Sequence, residues 1–157
     1  QIDTKNFTLR TGSRTFDAAS YLRANGADSN LIQSFMKENL TDFKSRTHLI
    51  NLAVVDSGNA IVTGESNQTY SGLITAQAAD ELLQISSVEA SYVVTKRADG
   101  RVGISARSTG QRNVQRIMEA MGGGGHLSNA ATQISGETPE AVTKQLKEVL
   151  QAAIEAQ

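Results

Sequence analysis

A run of four glycines followed by a histidine is the stretch of this sequence best suited to chemistry. Residues 122–125 are all glycine and lead directly into His126, one of two histidines in the chain. Consecutive glycines expose backbone N–H groups and let another molecule approach without a Cβ in the way. The imidazole of His126 can donate a hydrogen bond, and protonation would add a charge. The pattern favours a phosphate site, although a glycine run alone is more typical of a helix stop or a flexible link.

Arg107 is the second candidate for an anion site. It lies in the segment ISARS, which ends at Ser108 and is predicted to be the end of a strand. Side chains at a strand end emerge into a crevice, and a planar guanidinium matches phosphate oxygens two at a time. The alternative is a surface arginine paired with a nearby acid such as Glu119.

Asp3 and His48 are weaker candidates. One carboxylate does not make a metal site, because divalent metals bound by oxygen and nitrogen need several groups that converge from distant parts of the chain. A capping role is therefore the alternative for Asp3. His48 has no evident acid–base partner in the sequence and is interpreted as structural.

Hydrophobic periodicity predicts the elements that must position these residues. Two helices are expected within residues 1–38, followed by a polar helical connector over 41–47. Two hairpins are then expected, one joining 49–55 to 60–63 and one joining 91–96 to 102–106. Further helices are predicted to begin at the caps Thr75, Asn113 and Thr138, another to start within 126–130, and a short strand to cover 131–134.

The change of pattern near residue 50 predicts two units. Residues 1–38 are expected to be a helical remnant of one domain and 39–50 a helical linker. Residues 51–157 are expected to form a complete α/β domain, with a mixed or antiparallel central sheet flanked by helices. The chain starts at Gln1 within a strand-like segment, and we interpret it as an excised fragment.

Composition narrows the function classes. The 157 residues include no cysteine, which excludes a disulfide framework, a thiolate zinc site and a cysteine nucleophile. The net charge is −1, yet six basic residues between Lys96 and Arg116 accompany a single acid, Asp99. One basic patch on a nearly neutral chain suits a small phosphate ligand better than a long duplex. No apolar run approaches the roughly 20 residues that cross a bilayer.

These motifs together resemble a known family. The segments DTKNF at residues 3–7 and RTGSRTF at 10–16 resemble the last motif of the DHH phosphoesterase domain. The segment GISARS at 103–108, with the glycine run and His126, resembles the DHH-associated domain that follows it. The order and spacing are most similar to the membrane-bound cyclic-di-AMP phosphodiesterases of Firmicutes, and the resemblance covers essentially the whole chain.

The resemblance implies roles for individual residues. Asp3 matches the final aspartate of a two-manganese centre, in which paired metals polarise a phosphodiester and activate a water. It is therefore the expected metal ligand and, through the metal, the expected catalytic residue. The expected substrate-binding residues are Arg107, Ser108, Gly123, Gly124, Gly125, His126 and Asn129. The family's other metal ligands lie upstream, so this chain alone is expected to bind no Mn²⁺ and to be inactive.

The implied function is hydrolysis of cyclic di-AMP to the linear dinucleotide by a manganese-dependent parent protein. The parent is expected to be membrane-anchored, with this chain on the cytoplasmic side, and its dimerisation is left open. One alternative is a nanoRNase-type enzyme that acts on short adenine oligonucleotides or on adenosine bisphosphate. The other is a non-catalytic nucleic-acid-binding module, like the related domain at the end of alanyl-tRNA synthetases. Asp3 and the DTKNF segment argue against that module, and no long duplex is expected as a partner.

Overall fold

The computed structural model describes residues 39–156. Its helices and strands, in chain order, are α1 (Leu40–Asn51), β1 (Val54–Asp56), β2 (Asn59–Thr63), α2 (Gly72–Leu82), β3 (Ala90–Lys96), β4 (Val102–Ser108), α3 (Val114–Ala120), β5 (Gly124–His126), β6 (Asn129–Ile134) and α4 (Pro139–Glu155). The packing described below lies within one compact unit that begins at Ser45. Residues 1–38, including Asp3, lie outside the described residues, so the expected division at 38 and 50 stays a prediction.

The six strands form one mixed sheet in the order β1-β2-β3-β4-β6-β5. Only β2 and β3 run parallel, and every other neighbouring pair in this sheet is antiparallel. The connection between the parallel strands contains α2, as a parallel pair needs a crossover of this length. The predicted α/β class, with a mixed central sheet flanked by helices, is confirmed.

Helices pack on both faces of this sheet. On one face, α3 and α4 cover the main core, in which Tyr92 and Ile104 are almost completely buried. On the other face, α2 packs against β3 and β4, and Leu49 of α1 joins a second apolar cluster there. The part of this second face formed by β6 stays open, since Asn129 and Gln133 are exposed. An open area of sheet therefore lies beside α2.

The central strand β4 is buried along all seven residues and separates the two faces. Its even-numbered residues, such as Ile104 and Ala106, face the main core. Because successive side chains in a strand point to opposite faces, Ser105 and Arg107 face the side of the open area.

Helix caps are confirmed at two of the three expected positions. The side chains of Asn113 and Thr138 accept hydrogen bonds from backbone N–H groups three residues on. The third cap is wrong, because Ser71 and not Thr75 begins α2. The Ser71 hydroxyl accepts from the N–H of Ile74 at 3.1 Å, whereas the Thr75 hydroxyl donates to the Ser71 carbonyl from inside the helix.

The expected strand over 49–55 is also wrong over most of its length. Helix α1 continues to Asn51, and only Val54–Asp56 forms a strand. The apolar residues at the start of this segment belong to the end of a helix and not to a strand. Leu49 contributes its side chain to the second cluster from α1, and a turn bond from the Leu52 N–H to the Leu49 carbonyl then ends the helix.

His48 has an acid partner that the sequence did not reveal. Its Nε2 pairs with Oε2 of Glu65, and the Tyr70 hydroxyl donates to Oε1 of the same carboxylate at 2.7 Å. This cluster joins α1 to the segment between β2 and α2. The hydrogen bonds from Tyr70 and then His48 lower the pKa of Glu65 from its ordinary 4.5 to about 2.

The pKa of Glu65 predicts how this cluster responds to acid. A carboxyl group whose pKa is lower in the folded state stabilises the fold fully above its unfolded pKa, and it loses that contribution as the pH falls through the folded value. Glu65→Gln is therefore expected to lower the free energy of unfolding at pH 7, with the deficit shrinking between pH 4.5 and 2. Urea denaturation at a series of pH values measures this. The exposed Glu148, whose side chain makes no hydrogen bond in the described part of the chain, supplies the control Glu148→Gln. Parallel profiles for the two variants would contradict the prediction.

Candidate functional site

The glycine run forms an edge strand instead of a loop that leads into a helix. β5 pairs with β6 in a hairpin whose two turn residues are Leu127 and Ser128. The expected helix start within 126–130 is therefore wrong. The turn carbonyls hold the hairpin in place, because that of Leu127 accepts from the N–H of Val114 and that of Ser128 accepts from the N–H of Ser108, each at 3.0 Å.

The first two glycines end α3. The N–H of Gly122 donates to the carbonyl of Glu119 at 3.1 Å, and the N–H of Gly123 donates to the carbonyl of Met118 at 2.8 Å. With a φ of 87° at Gly122, this is the Schellman pattern that commonly closes a helix with glycine. The helix-stop interpretation of the run therefore holds for Gly122 and Gly123.

Only one of the three glycines predicted to bind substrate is free of packing constraints. A Cβ on Gly123 would lie 2.1 Å from the carbonyl oxygen of Ala131, and one on Gly125 would lie 2.6 Å from the Cα of Ala130. Both glycines thus allow β5 to pack closely on β6. A Cβ on Gly124 would meet no atom within 4 Å. A strand glycine without such a constraint often marks a place where a ligand approaches the backbone.

Strand register brings three of the predicted binding residues into one row. Arg107 is paired with Asn129 across β4 and β6, and Asn129 is paired with His126 across β6 and β5. Paired residues point to the same face, and neighbouring strands lie about 4.8 Å apart, so the backbones of Arg107 and His126 are about 10 Å apart. His126 and Asn129 are exposed.

A second row lies beside the first and consists of small residues. Ser105 is paired with Ala131, and Ala131 with Gly124. Gly103 and Gln133 form the next pair. We call this area the polar face; its residues are Gly103, Ser105, Arg107, Gly124, His126, Asn129, Ala131 and Gln133. The row of Ser105, Ala131 and Gly124 is the middle row. Ala131 and Gly124 have little or no side chain and are not buried, so a flat group has room above them, beside the row of Arg107, Asn129 and His126.

Arg107 is a buried, paired residue and not a free surface cation. Its Nε donates to Oδ1 of Asp80 at 2.8 Å, and its Nη1 donates to the Ala106 carbonyl at 3.0 Å. The suggested pairing with Glu119 is wrong, since Glu119 lies on α3 and accepts a hydrogen bond from Gln115. These contacts leave Nη2 as the guanidinium nitrogen available for a ligand. Arg107 can thus supply one oriented donor while Asp80 balances most of its charge.

Ser108 lies outside the row. Its even position in β4 directs it away from Arg107, and its hydroxyl donates to the Arg112 carbonyl at 2.6 Å and accepts from the N–H of Gly110 at 3.0 Å. Ser108 therefore shapes the loop after β4. The predicted substrate contact at Ser108 has no support from this geometry.

Half of the basic patch is neutralised within the chain. Arg101 pairs with Asp99, Arg107 with Asp80, and Arg112 with Glu89. Within residues 39–156, Lys96, Arg97 and Arg116 make no ion pair. The local positive potential is therefore concentrated at fewer positions than the sequence count suggests.

Sequence reasoning missed Asp80. It lies 27 residues before Arg107, in the last turn of α2, and both side chains of the pair are about nine-tenths buried. Its one signal in the sequence is an acid placed between the apolar residues Ala79 and Leu82 of a predicted helix. A buried carboxylate in such a position requires a partner.

No metal centre can be assigned within residues 39–156, where no three His, Cys, Asp or Glu side chains are grouped to hold an ion. Asp3 lies outside this part of the chain. The two Mn²⁺ ions stay a prediction, and we derive no catalytic step through them. Among the described helices, none has the length and apolar character needed to cross a membrane.

Comparisons with known proteins give a consistent picture. The DHHA1 domain family matches residues 57–156. The chain is 55% identical over 152 residues to the cyclic-di-AMP phosphodiesterase PdeA of Listeria monocytogenes, covering 96% of this chain and 23% of that protein. It is 51% identical over 152 residues to the cyclic-di-AMP phosphodiesterase GdpP of Bacillus subtilis, covering 95% and 23%. The chain thus spans about a quarter of the length of these curated relatives.

A solved structure shares the fold. The crystal structure of an exopolyphosphatase-related protein from Bacteroides fragilis superposes with a TM-score of 0.68 at 19% identity. The match covers 98% of this chain and 46% of that one. At this level of identity the similarity concerns the fold alone.

The buried pair of Arg107 and Asp80 yields a prediction about stability. Asp80→Ala is expected to lower the free energy of unfolding by about 3 kcal/mol, because it leaves the guanidinium buried without its carboxylate. The double variant Asp80→Ala/Arg107→Leu should lose less than the sum of the two single changes. Urea denaturation of the four proteins gives this coupling. Asp99→Ala, which removes an exposed ion pair with Arg101, is the control and should have little effect. Strict additivity of the two changes would contradict the prediction.

Proposed function

This chain belongs to the DHHA1 domain family, and we propose that it is the nucleotide-binding part of a larger cyclic-di-AMP phosphodiesterase. The observation on which the proposal rests is the row of Arg107, Asn129 and His126 beside the unobstructed Gly124. The names of the relatives support the choice of substrate. In the whole protein, hydrolysis to the linear dinucleotide would use two Mn²⁺ ions and Asp3, on a membrane-anchored parent.

In this proposal the residues of the row hold one phosphate and the adjoining nucleoside. The exposed imidazole of His126 donates to a phosphate oxygen, and Nη2 of Arg107 supplies a second donor from across the row. The amide of Asn129, between them, can both donate and accept, which suits a base or a ribose hydroxyl. The outer edge of β5 has no neighbouring strand in the described sheet, so its unpaired backbone groups are also available to the ligand.

Gly124 gives the ligand its room in this arrangement. Its missing Cβ would point to the same face as His126, because the two are separated by one residue in β5. A nucleotide can therefore lie close to the backbone of the middle row. Gly123 and Gly125, in contrast, support the site indirectly by letting the hairpin pack against β6.

Binding can be tested at His126 and Gly124. His126→Ala is expected to weaken the binding of cyclic di-AMP by about 1–3 kcal/mol, roughly 5- to 150-fold, through loss of a hydrogen bond to a charged group. Gly124→Ala should weaken binding with an unchanged melting temperature, because the added methyl meets open space in the chain itself. Isothermal titration calorimetry and thermal unfolding measure the two quantities.

Matched controls separate binding from folding in this experiment. His48→Ala removes the other histidine, which pairs with Glu65, and should leave the affinity unchanged. Gly123→Ala should lower the melting temperature, because its Cβ would collide with backbone atoms. Unaltered affinity in both His126→Ala and Gly124→Ala would overturn the proposed site. Tighter binding of tRNA than of the dinucleotide would favour the nucleic-acid-binding alternative.

Hydrolysis is the other test of the proposal. We expect the 157-residue chain to leave cyclic di-AMP uncleaved even in excess Mn²⁺, because two-metal chemistry needs several converging ligands and residues 39–156 offer no such group. Chromatography of the nucleotide after incubation is the measurement. In the whole protein, Asp3→Ala should abolish turnover. Cleavage by the chain that disappears on changing a residue within 39–156 would refute this account of the active site.

A further inference from the structure

The guanidinium of Arg97 lies on the polar face, at the opposite end of β4 from Arg107. Its Nη1 and Nη2 lie 2.5 and 2.7 Å from the position that a Cβ of Gly103 would take. Gly103 and Arg107 point to the same face, and the four residue steps from one to the other span about 13 Å. Glycine at 103 is thus what makes room for this guanidinium.

Arg97 makes no ion pair that would balance its charge in the described part of the chain. Its Nε is buried without a hydrogen-bond partner there. Asp99, whose charge acts on Arg97, is occupied by Nε and Nη2 of Arg101 at 3.0 and 2.8 Å. Burial lowers the pKa of the Arg97 guanidinium. This differs from Arg107, whose charge is balanced by Asp80.

The start of α2 adds to the positive potential at Arg97. A Cβ on Gly72, the first residue of α2, would lie 3.8 Å from Nη1 of Arg97. The first turn of α2 contains no acidic residue. A helix N-terminus carries partial positive charge, so an arginine beside it is destabilised unless an anion balances both.

Ser105 provides a second unused donor on the same face. Its side chain belongs to a residue only 6% exposed, yet its hydroxyl makes no hydrogen bond within residues 39–156. Ser105 follows Gly103 by two residues, so its hydroxyl and the Arg97 guanidinium are separated by about 7 Å. Each hydrogen bond takes about 2.8 Å, so a group with two acceptor oxygens on one atom fits between them.

We propose that Arg97 and Ser105 bind a second phosphate of the nucleotide, separate from the phosphate held near Arg107 and His126. The inference rests on the proposed function and extends it. It predicts a preference for dinucleotides with two phosphates. The phosphate near Arg107 fixes one end of the ligand, and the phosphate near Arg97 fixes the other.

The test compares two linear ligands on the full 157-residue chain by calorimetry. One is an adenine dinucleotide with a 5′ phosphate and therefore two phosphates; the other lacks the 5′ phosphate and has one. Arg97→Gln is expected to weaken the binding of the two-phosphate ligand tenfold or more and to change that of the one-phosphate ligand less than about twofold. Arg97→Lys keeps the positive charge but lacks the planar guanidinium with its paired donors. It should therefore recover part of the affinity that Arg97→Gln loses. Equal effects on both ligands, or none on either, would overturn the proposal.

Two further variants separate binding from structure. Arg116→Gln, an exposed arginine of α3 that makes no ion pair within residues 39–156, should leave both affinities unchanged. Ser105→Ala should weaken the binding of the two-phosphate ligand alone, with an unchanged melting temperature, because the Ser105 hydroxyl makes no hydrogen bond within residues 39–156. A lower melting temperature with an unchanged affinity would mean that Ser105 is only structural, and would remove it from the site.

A final measurement keeps this inference distinct from the proposed function. Inorganic pyrophosphate is titrated into the labelled chain, and the NMR signals of the Arg97 Nε–H and the Gly103 amide are followed. Both signals should shift in the wild type, and the Gly103 amide should not shift in Arg97→Gln. If the wild type binds no dinucleotide, the proposed function fails, but a pyrophosphate shift at Arg97 would still support an anion site there. Absence of that shift would overturn the site whatever the dinucleotides do.

Discussion

The register of β4 between β3 and β6 decides where the polar groups of this domain lie. The strand is buried throughout, with the apolar residues Val102, Ile104 and Ala106 at even positions. Gly103, Ser105 and Arg107 occupy the odd ones. A slip by one residue would move a guanidinium into the main core and Ala106 out of it. The observed register is therefore strongly favoured over one shifted by a residue, because the shift would bury a charge and expose apolar side chains. The row from Arg107 through Asn129 to His126 follows from this register.

Charge balance then distinguishes the arginines of the polar face. Arg107 is matched by Asp80 of α2, and this buried pair links the helix to the sheet. Asp80 offsets the cost of desolvating the Arg107 guanidinium. The main contribution of Arg107 to a site is therefore a guanidinium held in a fixed position. Arg97 is partly buried and makes no ion pair within residues 39–156, and a ligand anion is the counterpart that we propose for it. The two guanidinium groups on the polar face thus differ in role. That of Arg107 is balanced by Asp80 within the fold, whereas that of Arg97 is proposed to bind a ligand.

The glycine run combines structural and functional demands within four residues. Gly122 and Gly123 close α3, Gly123 and Gly125 permit close packing of β5 on β6, and Gly124 alone leaves open space on the polar face. The first two conditions arise from packing within the chain, and the last concerns the molecule that binds it. A strand of this kind at the sheet edge can present backbone groups to a ligand without a helix N-terminus behind it.

The sequence by itself determined the family, the α/β class and the elements with strong local signals. The caps at Asn113 and Thr138 and the hairpin of β3 and β4 depend on residues that are neighbours along the chain, so local chemistry reveals them. The residues of the proposed site were also named from the sequence, because Arg107, His126 and the glycines form recognisable motifs.

Only the tertiary structure decided which of those residues meet and what balances their charges. The partner of Arg107 is 27 residues away. The Arg97 guanidinium packs against a glycine on the next strand. The expected helix after the glycines became a hairpin because its turn carbonyls are held by β4 and α3. Periodicity and spacing indicate which secondary structure a segment of the chain prefers. Pairings between distant segments depend on strand register and on the burial of charge, which arise only when the sheet and its helices pack together.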